Sequence, residues 1–202
     1  MCMASSLGFN KFNLHLTFEN RFVSFANKKI LMKLFFKYIG ELLRLYPQVR
    51  FTKNDEILIR NSAMNHLGLT NLNQMRDRYE GQAFFEKTMK NIGGLMALQK
   101  HLNIELIDLD KANLTDFQPY IKLNGKKILV NVFDFGTLPL IKINEIKNPT
   151  FFIIQKDNLT FLLCGLASKE VIKNNLIETS IVKSSTDKYM DFTGFKFLEQ
   201  IK

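Results

Sequence analysis

The hydrophobic period of the chain changes near residue 103, from a spacing suited to helices to one suited to strands, and this limits it to folds in which a helical half packs on a sheet. Before that point, Leu31, Leu34, Phe35, Tyr38, Leu42 and Leu45 recur at intervals of three and four, while Lys33, Lys37, Glu41 and Arg44 take the other side. The spacing predicts an amphipathic helix over residues 30–46, stopped by Pro47. Asn54 is the predicted cap of a second helix that ends at Gly68, with Asp55 and Glu56 in its first turn, where the helix dipole favours acids. Leu72, Met75 and Tyr79, then Phe85, Met89, Ile92 and Met96, predict one or two further helices through Leu102, the last interrupted by Gly93-Gly94. Glycine costs about 1 kcal/mol against alanine in a helix, so the pair reads as a place where another element comes close.

After residue 103, Ile104, Leu106 and Leu109 open an extended stretch. Tyr120 to Leu123, Asn124-Gly125 and Ile128 to Phe135 form a hairpin signature, because Asn-Gly supplies the positive φ angles of a type I′ turn. A second hairpin is predicted from Phe151-Phe152-Ile153-Ile154, a turn at Asp157-Asn158, and Phe161-Leu162-Leu163-Cys164. Ser168 then caps a short helix, and Asp191 to Leu198 return as a last strand or edge. The expected class is α/β in the α+β sense: a basic arm over residues 1–29, then one domain over 30–202, helical to 102 and carrying a mixed, hairpin-containing sheet beyond. With 202 residues, 46% of them apolar, the chain is long enough to bury a sizeable core.

Charge divides along the same line as the hydrophobic period. Residues 1–100 carry 15 Lys and Arg against 7 Asp and Glu, whereas residues 101–202 carry 13 against 12. A positive helical half attracts polyanions, of which nucleic acid is the commonest for a soluble protein, and the groups expected to grip phosphate are Lys28, Lys29, Lys33, Arg44, Arg76 and Arg78. The first forty residues hold one acid, Glu19, against six cations, which is also the bias of an organellar presequence. The expected location is the cytoplasm, or an organellar matrix if that segment is a transit peptide. No apolar run approaches the roughly 18 residues of a spanning helix, so no membrane partner is expected. Cys2 and Cys164, one terminal and one inside an apolar run, suggest neither a disulfide framework nor a thiolate metal site.

Familiar catalytic signatures are missing: the chain has no phosphate loop, dinucleotide fingerprint, nucleophile elbow or paired-histidine zinc motif. His15, His66 and His101 lie far apart in sequence. What remains is a set of carboxylates near the predicted sheet, namely Glu105, Asp108, Asp110, Asp116, Asp134 and Glu145. Two or three of them converging at strand ends would suit Mg²⁺, which prefers oxygen ligands and activates water. Alternation along Ile128, Val130 and Val132 puts Asp134 on the side of that apolar row.

Residues 90–198 resemble the restriction-endonuclease-like, or PD-(D/E)xK, nuclease fold. The resemblance is carried by Ile92-Gly93-Gly94 and Ala97 in a helix, an acid at Asp116, the hairpin, the strand Phe151 to Gln155, the run Phe161 to Glu170, and Phe192-Thr193-Gly194-Phe195, similar to the family's terminal strand. The family's chemistry needs a Glu or Asp two residues before a Lys on the second hairpin strand, and Lys127 to Asp134 contains no such spacing. The resemblance therefore implies a nucleic-acid-binding protein on a nuclease-like scaffold with degenerate catalysis. The alternative is an active Mg²⁺-dependent endonuclease whose site has migrated to Asp116, Asp134 and Lys142, with the two Asp as metal ligands. A third expectation is a non-enzymatic assembly component of a virion, phage or ribonucleoprotein particle, with homo-oligomer or other protein contacts.

Overall fold

The computed structural model describes residues 27–75, 81–107, 120–123, 125–142, 146–178 and 188–200. Helix α1 occupies residues 27–39 and is followed by a 3-10 turn at Leu42–Arg44, strand β1 (Gln48–Arg50), α2 (Lys53–His66), a second 3-10 turn at Leu72–Met75 and α3 (Gly81–Leu102). The second half supplies β2 (Tyr120–Leu123), β3 (Lys126–Asp134), β4 (Leu140–Ile141), β5 (Thr150–Asp157), β6 (Thr160–Ala167), α4 (Lys169–Asn174), β7 (Leu176–Ile177), β8 (Lys188–Met190) and a 3-10 segment at Phe192–Phe197.

Among the described residues, five strands form one sheet in the order β1-β6-β5-β3-β2, and β4, β8 and β7 form a smaller one. In the larger sheet β3 and β5 run parallel, Val130 facing Phe151 and Val132 facing Ile153, while the other pairs are antiparallel. The expected mixed class and both expected hairpins are present. Gly125 takes a φ of +73° in the first turn; Asn124 lies outside the described residues.

Alternation along the strands explains how the layers hold together. Phe151 and Ile153 of β5 and Phe161 and Leu163 of β6 enter a core shared with Ile59 and Ala63 of α2 and Phe85, Ile92, Leu95 and Leu98 of α3. Phe152, Ile154, Leu162 and Cys164 enter a second core with Phe35 and Ile39 of α1, Ile172 of α4, and Phe192 and Phe195. Helices therefore cover both faces, and β5 and β6 read as unbroken apolar runs because either direction of the pleat leads out of water. Phe152 pairs with Gly165 but Ile153 with Leu163, so Cys164 is left over as a bulge. The extra residue flips the parity of β6, and Leu166 packs on the α3 side while Ala167 packs on the other.

Several boundaries depart from expectation for local reasons. Helix α3 runs unbroken through Gly93-Gly94. A Cβ at Gly93 would stand 2.6 Å from Phe161 Cζ, and one at Gly94 would overlap Val132 Cγ2. The pair lets α3 approach β3 and β6, and the packing offsets the glycine penalty. Helix α1 ends at residue 39, not 46, with Gly40 donating to the Phe36 carbonyl at 3.1 Å before the chain turns. The cap of α2 is Thr52 rather than Asn54: its Oγ1 accepts from the Asp55 amide at 3.2 Å, and Asp55 Oδ2 accepts from the Thr52 amide at 2.7 Å. Ser168 caps α4 as expected, accepting from the Val171 amide at 3.3 Å.

Residues 192–197 are a 3-10 segment rather than the expected strand. Asp191 Oδ1 accepts from the Thr193 amide at 2.9 Å, and the three-residue turn brings Phe192 and Phe195 to one buried side. Only Glu199 bridges to the sheet edge there, opposite Leu166, among the described residues. The stretch expected to be extended from Ile104 is not a strand over 104–107. Its Leu106 and Ile107 amides donate to Gln99 Oε1 at 2.9 and 3.2 Å, and Leu109 lies outside the described residues. No helix among the described residues is long and apolar enough to cross a membrane.

Candidate nucleic-acid interface

Residues 27–39 contain Lys28, Lys29, Lys33 and Lys37 and no acid. The rotation of α1 is set by Leu31, Phe35 and Ile39, spaced by four and all buried. The Phe35 ring lies 4.5 Å from the Phe135 ring and 5.5 Å from the Phe192 ring, centroid to centroid, which anchors the helix against the sheet and the 192–197 segment. With that side inside, all four lysines are exposed. Lys29, Lys33 and Lys37 recur every fourth residue and so follow one line along the helix, nearly opposite the buried row.

Like charges at this spacing repel by a few tenths of a kcal/mol per pair. Among the described residues, no carboxylate is in ion-pair contact with Lys28, Lys29, Lys33 or Lys37. Lys37 Nζ lies 4.9 Å from the centroid of the Tyr38 ring. Arg44 is exposed at the end of the first 3-10 turn. Four of the six expected cations thus belong to one helix and the turn after it, and Arg76 and Arg78 lie outside the described residues. Lys37 was not among the expected set, although its position four residues after Lys33 was the signal that would have included it.

The acids expected to do chemistry are arranged differently. Asp134 closes β3 on the side of Ile128, Val130 and Val132, as alternation implied, and there it meets α3. Lys90 Nζ donates to Asp134 Oδ1 at 2.8 Å and to Oδ2 at 2.7 Å. The Lys90 side chain is 20% exposed and that of Asp134 58%. A pair this open contributes at most about 1 kcal/mol, and the ammonium engages both carboxylate oxygens. Lys142 follows β4, whose Ile141 lies in the α1-side core. Asp134 therefore lies within the large sheet on its α3-facing side, whereas Lys142 follows a strand packed on the opposite face. Asp116 lies outside the described residues, as do Asp108, Asp110 and Glu145; Glu105 is exposed. Among the described residues, no three His, Cys, Asp or Glu side chains gather as a metal site.

Two reactive side chains are sealed in the α1-side core. Cys164 is fully buried, and desolvation pushes its thiol well above the ordinary range. Burial, with the neighbouring Cys164, likewise pushes the Tyr46 phenol far up. Both stay protonated at neutral pH, so neither is an activated nucleophile.

No family model, curated protein or solved structure matches this chain. Side-chain placement gives a lysine row facing water, an Asp134 held by Lys90 and inert buried nucleophiles.

Proposed function

We propose that the chain binds nucleic acid through the lysine face of α1, on a restriction-endonuclease-like scaffold that lacks working nuclease chemistry. The observation that carries this reading is the row Lys29, Lys33 and Lys37, unpaired with any carboxylate among the described residues. A row of cations about 6 Å apart is held by a helix whose opposite side is locked into the core, so bringing it to a phosphate backbone costs little reorganisation. A membrane surface is the other common partner of a basic amphipathic helix, but the apolar stripe Leu31, Phe35 and Ile39 is spent inside the protein, leaving only Ile30, Phe36 and Tyr38 exposed among the large apolar side chains of α1. The carboxylate of Asp134, held by Lys90 through both oxygens, supports a reading without metal-dependent cleavage.

The test is fluorescence anisotropy with labelled DNA and RNA over a range of salt. The logarithm of affinity is expected to fall linearly with the logarithm of salt, and replacing Lys29, Lys33 and Lys37 together by Gln is expected to make that slope shallower by about 2 to 3, the contribution of three phosphate contacts. All three side chains face solvent, so circular dichroism should not change. Absence of any complex at low salt, or an unaltered slope in the triple variant, overturns the reading. Mg²⁺-dependent cutting that Asp134→Ala abolishes would overturn the non-catalytic part.

A further inference from the structure

The hairpin β2–β3 holds three more lysines, and its register decides where they point. Tyr120 faces Leu129, Ile121 faces Ile128, Lys122 faces Lys127 and Leu123 faces Lys126. Ile121 and Ile128 are buried in the core beneath α3, so the pleat sends Tyr120, Lys122 and Lys127 out from the other side of the sheet. Farther along β3 that side is covered by the α1 core, where Phe133 lies. At the hairpin end Tyr120 keeps 42% of its surface and Lys122 and Lys127 are exposed, while Leu129 opposite Tyr120 is buried.

The charge arrangement there is unfavourable for the hairpin alone. Like charges directly opposite each other in an antiparallel pair destabilise it. Among the described residues, no carboxylate is in ion-pair contact with Lys122, Lys126 or Lys127. Lys127 Nζ lies 4.5 Å from the centroid of the Tyr120 ring instead. A lysine on an edge strand discourages pairing with other chains; that role accounts for Lys122 on β2 but not for Lys126 and Lys127 on the inner strand β3, nor for the exposed aromatic ring beside Lys127.

We infer that the Tyr120–Lys127 face of this hairpin binds single-stranded nucleic acid, with Tyr120 as the platform on which an unpaired base stacks and Lys122 and Lys127 as partners of the flanking phosphates. The inference rests on the nucleic-acid reading of α1 and specifies the form of the nucleic acid. An exposed ring flanked by cations matches a single strand, whose bases are free to stack on protein, whereas a duplex keeps its bases stacked on each other. The hairpin face and α1 lie on one side of the sheet. From Lys127 to Phe133 the strand advances roughly 20 Å, so one short oligonucleotide reaches both.

The experiment compares anisotropy of a labelled oligothymidylate with that of a duplex of equal length at low salt. Wild type, Tyr120→Ala, Tyr120→Phe, the Lys122→Gln/Lys127→Gln pair and the triple Gln variant of α1 are titrated in parallel. The single strand is expected to bind wild type more tightly than the duplex. Tyr120→Ala should weaken the single strand by roughly tenfold or more while leaving the duplex unchanged, and Tyr120→Phe should retain wild-type binding. Equal binding of the single strand by Tyr120→Ala and wild type, or an equal loss for single strand and duplex in a variant with wild-type circular dichroism, overturns the inference. If the α1 variant loses binding while Tyr120→Ala does not, the α1 reading stands and the hairpin proposal fails. If wild type binds no nucleic acid, both fail.

Discussion

Asp55 shows how much one side chain does at a helix start. The Thr52 amide holds its carboxylate below the ordinary range, with help from the Thr52 hydroxyl and Lys100 and against some desolvation. A depressed folded-state pKa contributes stability that is fully present above the unfolded value, near pH 4, and is lost as pH falls through the folded value. Asp55→Asn should therefore lower stability at pH 7 and leave little difference from wild type at pH 2, as read from urea midpoints at both pH values. An equal difference at both would show that the carboxylate's charge is not what stabilises the turn. The cap itself was only half legible in the sequence. Asp55 stood out as a first-turn acid, but Thr52 and Asn54 are both good capping residues, and the choice between them depends on where β1 releases the chain.

At the scale of elements, local patterns were readable and long-range contacts were not. Asn124-Gly125 and the apolar runs of β5 and β6 carry their own turn and strand signals, so the hairpins could be read directly. Gly93-Gly94 was legible as a close approach but not as an unbroken helix, because the residues that come close, Phe161 and Val132, are distant in sequence. Residues 192–197 looked like a strand because Phe192 and Phe195 fit an apolar edge as well as a 3-10 turn, and only the core decides between them. The site divides in the same way: the α1 lysines are spaced by a local rule, whereas the Lys90 partner of Asp134 comes from 44 residues away. The close approach of α3 gives a direct expectation. Gly94→Ala gains about 1 kcal/mol of helix propensity but forces a methyl into Val132, an overpacking that costs about 1 to 3 kcal/mol. The variant should be less stable than wild type by denaturant titration, and adding Val132→Ala should reduce the deficit attributable to the alanine at 94. A Gly94→Ala protein more stable than wild type would mean that α3 and β3 are not in contact there.

For the molecule as a whole, the sheet separates two surfaces, each carrying both ion pairs and exposed lysines. On one side α2 and α3 cover it, with the ion pairs Lys90–Asp134 and Arg60–Glu56 and the exposed Lys53, Lys87 and Lys100. On the other side are the α1 lysine row and the Tyr120–Lys127 hairpin face, both without carboxylate partners among the described residues. What distinguishes the second side is local clustering: the amino-acid order places four lysines and no acid in residues 27–39 and three lysines around one hairpin turn. The most direct measurement is a map of backbone amide shifts by nuclear magnetic resonance during titration with an oligothymidylate. The predicted result is that Lys29, Lys33, Lys37, Tyr120, Lys122 and Lys127 move together at low salt and return as salt is added, while α2 stays still. Shifts centred on α2 and α3, or spread evenly over the molecule, would contradict it.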